Sequence, residues 1–167
     1  MHLMEWCFTE QTGIFWSKEN SNRTDHIMTQ LQTYAAPLGR LLLAFIFIMA
    51  GAQKITGYSG TQGYMEMMGV PGALLPLVIL TELGGGIALA LGWQARPVAL
   101  ALAGFSLLSG FIFHYLPSLG MEGMEAQMQV ISFMKNVSIA GGMLMVVSLG
   151  AGAWSLDGRR PAAQPAE

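Results

Sequence analysis

One cysteine, three histidines and a charged fraction of 11% are what this chain of 167 residues has least of. A lone Cys7 excludes an intramolecular disulfide, a CxxC redox pair and a cysteine-rich metal site. The three histidines are widely separated, which argues against a two-His haem site within one chain. Neither sign of charge dominates, and the formal net charge is −2. With no basic patch and no recognition motif, nucleic acid is not an expected partner. Residues 1–33 contain no apolar core of signal-peptide length and no A-x-A-like cleavage site. Met121, Met124 and Met128 have a thioether spacing that suits Cu(I), with Met65 and His114 near the same face. Methionine is abundant throughout, however, and commonly fills irregular apolar surface, so no metal is expected.

What the chain does have is apolar length. Hydrophobic residues make up 53% of it, and from Met67 to Gln94 the only charge is Glu82, near the middle. About 20 apolar residues cross a ~30 Å hydrocarbon core, so Leu74–Trp93 reads as a membrane-spanning helix. A carboxylate at mid-depth costs roughly 2.5–3.5 kcal/mol even on the lenient insertion scale, and it needs a partner inside the protein. Gly85 and Gly86 lie one turn from Glu82, where a small residue lets a neighbouring helix or a ligand approach.

Three further spans follow the same logic. The first runs from Pro37 to Thr56, bounded by Arg40 and Lys54; the third from Pro97, at its first helical position, to Leu116; the fourth from Gln127 to Leu149. Glycines between Gly57 and Tyr64 are expected to break the chain after the first span, with a short interfacial helix over Tyr64–Gly69. The fold class is therefore all-α, a polytopic membrane protein with four transmembrane helices in an up-down-up-down bundle. Residues 37–156 form this domain. Residues 1–36 are a tail, either poorly ordered and interfacial or an amphipathic surface helix, and Met28 is an alternative start that would leave residues 1–27 untranslated. Residues 157–167 are a polar, disordered tail. Arg40, Arg96, Arg159 and Arg160 fall on the side holding both termini, while the opposite loops carry Glu66, Glu122 and Glu125. The positive-inside rule then puts both termini in the cytoplasm.

Polar side chains gather in the half of the bundle away from the termini. Lys54 and His114 end the first and third spans, Lys135 and Asn136 lie about 7 residues into the fourth, roughly 10 Å deep, and Glu82 lies roughly 16 Å deep. By depth Lys135 is the first candidate partner for Glu82 and Lys54 the second. The cluster Lys54, Glu82, His114, Lys135 and Asn136 reads either as a structural ion-pair network or as a pocket for a small lipophilic molecule or a proton.

The segments Leu38-Gly-Arg40, Ala50-Gly51-Ala-Gln-Lys54, Met68-Gly69-Val-Pro71, Glu82-Leu-Gly-Gly-Gly, Gly92-Trp-Gln-Ala-Arg96 and Phe133-Met-Lys135-Asn136 occur in an order and spacing that resembles the DoxX family of bacterial and archaeal membrane proteins, from about Leu38 to Asp157. The resemblance implies a multi-pass protein of the bacterial inner (plasma) membrane. It also implies that Arg40, Gly51, Lys54, Glu82, Gly85, Gly86, Arg96, Lys135 and Asn136 are characteristic positions. Some members are associated with quinone-linked sulfur oxidation or with oxidoreductase assemblies that handle oxidative stress, which makes quinone the cofactor to expect. The chain has no flavin, haem or disulfide motif of its own. As part of an enzyme it would be a non-catalytic or quinone-binding subunit, with an oxidoreductase partner subunit, the lipid bilayer and a homo-oligomer as its partners. The alternatives are a small-molecule or ion transporter and a structural or assembly protein without a ligand.

Overall fold

The computed structural model describes Thr29 and residues 33–159, with Arg159 as backbone alone. Expectations about the remaining N-terminal residues, about Arg160 and about residues 161–167 lie outside the described residues. Four helices are long and apolar enough to cross a membrane: α1 (Thr33–Thr56), α3 (Gly72–Leu91), α4 (Ala95–Ser118) and α5 (Gly123–Leu149). A shorter helix, α2 (Tyr58–Met67), joins α1 to α3. No strand occurs among the described residues, and the architecture is a four-helix membrane bundle. The compact unit holding it begins at Ala36; before that, the Thr33 hydroxyl donates to the Thr29 carbonyl at 2.8 Å.

Each of the four spans starts two to four residues before its expected bound, and local contacts account for the departures that follow. Gly60 and Gly63 do not break the chain, because α2 runs through both. Only Gly57 interrupts, and its carbonyl accepts both the amide and the hydroxyl of Thr61, each near 3 Å (2.9 and 3.0 Å). The third span starts at Ala95 instead of Pro97, because the Asp157 carboxylate accepts the Gln94 and Ala95 amides at 2.9 and 2.7 Å. Two otherwise unpartnered N–H groups at a helix start are thereby satisfied. The same bonds correct the boundary of the polar tail. Leu156 and Asp157 also donate their amides to the Leu91 and Gly92 carbonyls at 3.1 and 3.0 Å, so this stretch is tied to the α3–α4 turn.

Side chains divide the bundle into two unlike halves. At the terminal end the contacts are dry: Ala44 and Phe47 of α1, Leu89 of α3, Ala99 and Leu102 of α4, and Ala140 and Met143 of α5 form one buried cluster. Large apolar residues such as Leu42, Leu80, Leu108 and Leu149 point outward and remain about two-thirds exposed (66%, 67%, 61% and 66%). That inversion suits lipid, which is as apolar as leucine and gives no reason to hide it. At the far end the helices part around the polar residues.

Helices α1 and α3 approach most closely at Gly51 and Gly86. A Cβ on Gly51 would lie 2.9 Å from the Leu83 Cβ and 3.0 Å from its backbone nitrogen, and one on Gly86 would lie 2.9 Å from Ile48 and 3.1 Å from its nitrogen. Because backbone is the obstacle, no side-chain rotation relieves either contact. Gly85 faces α4 instead, where the flexible tip of Leu102 is the neighbour. Each glycine thus admits a helix.

Candidate functional site

Two of the four spans carry one π-helical turn each, and each such turn carries a polar residue. In α3 the turn Leu80–Gly84 is π-helical and holds Glu82; in α4 the turn Phe111–Tyr115 is π-helical and holds His114. A π turn inserts one extra residue into an α-helix, loosens the backbone bonding locally and re-aims the side chains on it. Such turns are frequent at functional sites.

Glu82 is 6% exposed. The Lys54 ammonium lies 2.9 Å from its Oε1 and 2.8 Å from its Oε2. Only the Oε1 contact has hydrogen-bond geometry, and Oε2 is left as a buried acceptor without a hydrogen bond. Proximity alone therefore supplies the Coulombic attraction at Oε2, while its lone pairs stay unused. The carboxylate's partner is Lys54, not Lys135. Lys135 lies at the protein surface and makes no hydrogen bond or ion pair among the described residues. Depth along a helix matches both lysines to Glu82; the direction in which each faces separates them.

His114 Nδ1 sits 2.7 Å from the Gln129 amide oxygen, which links α4 to α5. The Asn136 amide donates to the Ser132 carbonyl at 3.0 Å. A Cβ on Gly110 would come 2.7 Å from the Asn136 Cβ, so this glycine is what lets Asn136 lie against α4. Around these groups the far half of the bundle forms a half-open cavity of about 530 Å³, walled by Lys54, Glu82, His114, Asn136, Val78 and Phe113 among others. Helix α2 contributes Thr61, Tyr64 and Met65 to its wall. The Tyr64 hydroxyl donates to the Phe113 carbonyl at 3.3 Å, on the π turn itself. A second cavity of about 270 Å³ shares Glu82, His114 and Asn136 and is bounded by α1, α4 and α5, with Lys135 and Ser132 on its wall. The structure thus brings Lys54, Glu82, His114, Lys135 and Asn136 to one connected region.

Two groups that matter were not singled out by sequence. Ser106 is 2% exposed, its hydroxyl has no hydrogen-bond partner, and it lines the second cavity. In sequence it is one serine in an apolar run, without a spacing that marks it. Gly110 is equally silent.

The arginines form a different site at the terminal end. Arg40 is 2% exposed, and its guanidinium donates to the carbonyls of Ala90 (3.3 Å), Ala151 and Trp154 (3.0 Å). Arg96 reaches the Ser148 carbonyl at 3.5 Å, the limit of a hydrogen bond. Arg40 therefore holds the chain beyond α5 against the end of α3, besides carrying charge.

Comparison with known proteins agrees with this architecture. The DoxX family profile matches residues 35–115, which takes in α1 to the π turn of α4 and stops before α5. Inner membrane protein YqjF of Escherichia coli is 49% identical over 130 residues, 78% of this chain and 95% of that protein. Inner membrane protein YphA of the same organism is 36% identical over 124 residues, 73% of this chain and 87% of that protein. A Surfeit locus protein 4 homolog of Schizosaccharomyces pombe is 25% identical over 129 residues, which covers 77% of this chain but 38% of that protein. No solved structure matches. With nearly the whole of YqjF aligned at about half identity, and the family profile covering the first three spans, this chain belongs to the DoxX family.

Proposed function

We propose that this protein is an inner-membrane subunit that holds a quinone for a partner oxidoreductase. The reading is carried by the cleft of about 530 Å³ in the far half of the bundle, in the size range of small-molecule sites, with polar groups converging on it from all four spans and α2. Its donor set suits a quinone. Phe105 and Phe113 supply apolar walls for a ring, the Lys54 ammonium and the second N–H of the Asn136 amide are donors for a carbonyl oxygen, and Glu82 Oε2 is an acceptor with no hydrogen bond of its own. A bound quinone would supply the two-electron chemistry that this chain lacks. The chain's own residues orient the headgroup and hold protons at the Glu82 carboxylate and the His114 ring, each carried on a π turn. Electrons come from a partner subunit. The names of YqjF and YphA support the inner membrane as the location.

The test is quinone content. The chain is purified from bacterial membranes in mild detergent, and extracted quinone is quantified per protein for the wild type and for Val78→Phe. Val78 lines this cavity and not the smaller one, so a phenyl ring there intrudes on the site while leaving both charged side chains in place. Near-stoichiometric quinone in the wild type and at least about tenfold less in the variant is the expected result, a modest 1.4 kcal/mol of lost binding. Phospholipid alone in the wild type would sink the reading.

We also infer that both termini face the cytoplasm. Arg40 and Arg96 bond to carbonyls between Ser148 and Trp154, at the end where the chain continues to Arg159 and Arg160, while Glu66, Glu122 and Glu125 belong to the far end. Reporter fusions after Arg159 should be active for a cytoplasmic reporter and silent for a periplasmic one. The reverse pattern would overturn the charge-based orientation.

A further inference from the structure

Lys54 and Glu82 neutralise each other, which leaves the two cavities one formal charge short of balance. The remaining charge is Lys135, on the wall of the smaller cavity between α1 and α5, with no hydrogen bond or ion pair among the described residues. Its depth follows from its neighbour. Asn136 packs at Gly110, eight residues before the end of α4 at Ser118, hence roughly 12 Å below the far surface. An ammonium at that depth is expensive unless something neutralises it, and intramembrane cations generally face a cavity and acquire an anionic or carbonyl partner.

A second, independent observation lies in the same cleft. Ser106, buried on α4, has a hydroxyl that bonds to nothing. Buried polar groups without a partner are rare, and a bound molecule or water is the usual reason for one. Both unsatisfied groups, the Lys135 ammonium and the Ser106 hydroxyl, are hydrogen-bond donors. The α1 wall is apolar, formed by Ile46, Phe47 and Ala50, and Ile139 of α5 adds to it beside the polar Ser132 and Asn136. At about 270 Å³ the cleft has room for about nine waters, enough for a headgroup and the first part of a chain. The carboxylate of Glu82 also lines it, and Lys54 at 2.8 Å cancels that charge.

We propose that the cleft between α1 and α5 binds an anionic amphiphile, its negatively charged oxygen head on Lys135 and Ser106 and its chain along Ile46, Phe47 and Ile139. A neutral quinone would leave Lys135 unbalanced, so this site goes beyond the quinone reading and does not depend on it. The head chemistry is shared by fatty-acid carboxylates and by the phosphates of anionic phospholipids.

The experiment is native mass spectrometry of the full chain in detergent, titrated separately with oleate and with equal amounts of phosphatidylglycerol and phosphatidylcholine of identical acyl chains. Three proteins are compared: wild type, Lys135→Gln and Lys135→Arg. Lys135 is at the surface and unpartnered, so both variants should fold, and a thermal melt checks this. For wild type and Lys135→Arg, at least one of the two anionic probes is expected to bind about fivefold better than phosphatidylcholine, the ratio that one lysine near an anionic head supports. Lys135→Gln should lose that preference. Which probe shows it, oleate or phosphatidylglycerol, identifies the carboxylate or the phosphate as the natural head. Equal retention of anionic and zwitterionic lipid by the wild type, or an undiminished preference in Lys135→Gln, overturns the proposal.

Discussion

Replacing Lys54 with Met is expected to destabilise the bundle by about 3–5 kcal/mol, the range typical when one member of a buried ion pair is removed. The size follows from what is left behind. Glu82 would remain 6% exposed, with neither oxygen bonded and its charge uncompensated inside the membrane. Glu82→Gln is expected to cost less, because the ammonium it strands is more accessible; the Lys54 side chain is 27% exposed, against 8% for Glu82. Combining Lys54→Met with Glu82→Leu removes both charges and should recover most of the loss, a non-additivity that a double-mutant cycle reads directly. Lys135→Gln is the control: it breaks no ion pair among the described residues and should show none of the Lys54→Met loss. Unfolding in mild detergent measures all four, together with Glu82→Leu alone, which closes the cycle. If Lys54→Met is as stable as wild type, or if the double mutant is merely additive, Glu82 is not held by an ion pair and its carboxyl is protonated at rest.

The second large effect is expected at the opposite end of the molecule. Arg40→Leu should cost about 3 kcal/mol or more, since hydrogen bonds from a charged donor are worth about 1.5–3 kcal/mol each and three carbonyls, those of Ala90, Ala151 and Trp154, lose theirs together. Arg40→Lys tests the cause. An ammonium keeps the charge but cannot reproduce the planar fork that reaches two stretches of backbone at once, so Lys should rescue little. Limited proteolysis within residues 150–158 gives a local readout, because the clasp is what pins this stretch to α3. Full stability and unchanged cleavage in Arg40→Lys would mean that charge alone matters at this position.

The spans and their number are legible in the sequence because hydropathy integrates over some twenty residues and tolerates local error. So is the gathering of polar groups at one end, which depends on depth alone. Rotation about each helix axis is not legible to the same degree, and it decides the pairing. Lys54 and Lys135 are both near enough in depth to Glu82; the close approach of α1 to α3 at Gly51 and Gly86 brings Lys54 to it. The π turns shift the facing of whatever follows them, and nothing in Leu-Thr-Glu-Leu-Gly or Phe-Ile-Phe-His-Tyr announces one. Asp157 was hidden for another reason. Its role as a helix cap is exercised on residues more than sixty positions earlier, at Gln94 and Ala95, and no local pattern encodes that.

The π turn at Leu80–Gly84 makes the effect of a change in chain length depend on where in α3 it falls, which hydropathy cannot register. One residue deleted from this turn would restore ordinary α-helix and leave the span apolar. Because the turn already holds one residue more than an α-helical path needs, the helix on either side would keep its rotation, and Gly86 would stay against Ile48. Only the turn itself changes, and Glu82 on it is re-aimed relative to Lys54. The same deletion elsewhere in α3 has no spare residue to absorb it and puts the two sides out of phase by about 100°, one residue's rotation. In helical phase, therefore, the turn behaves like slack in a line: a deletion within it is taken up locally, whereas one outside it reassigns every contact on one side.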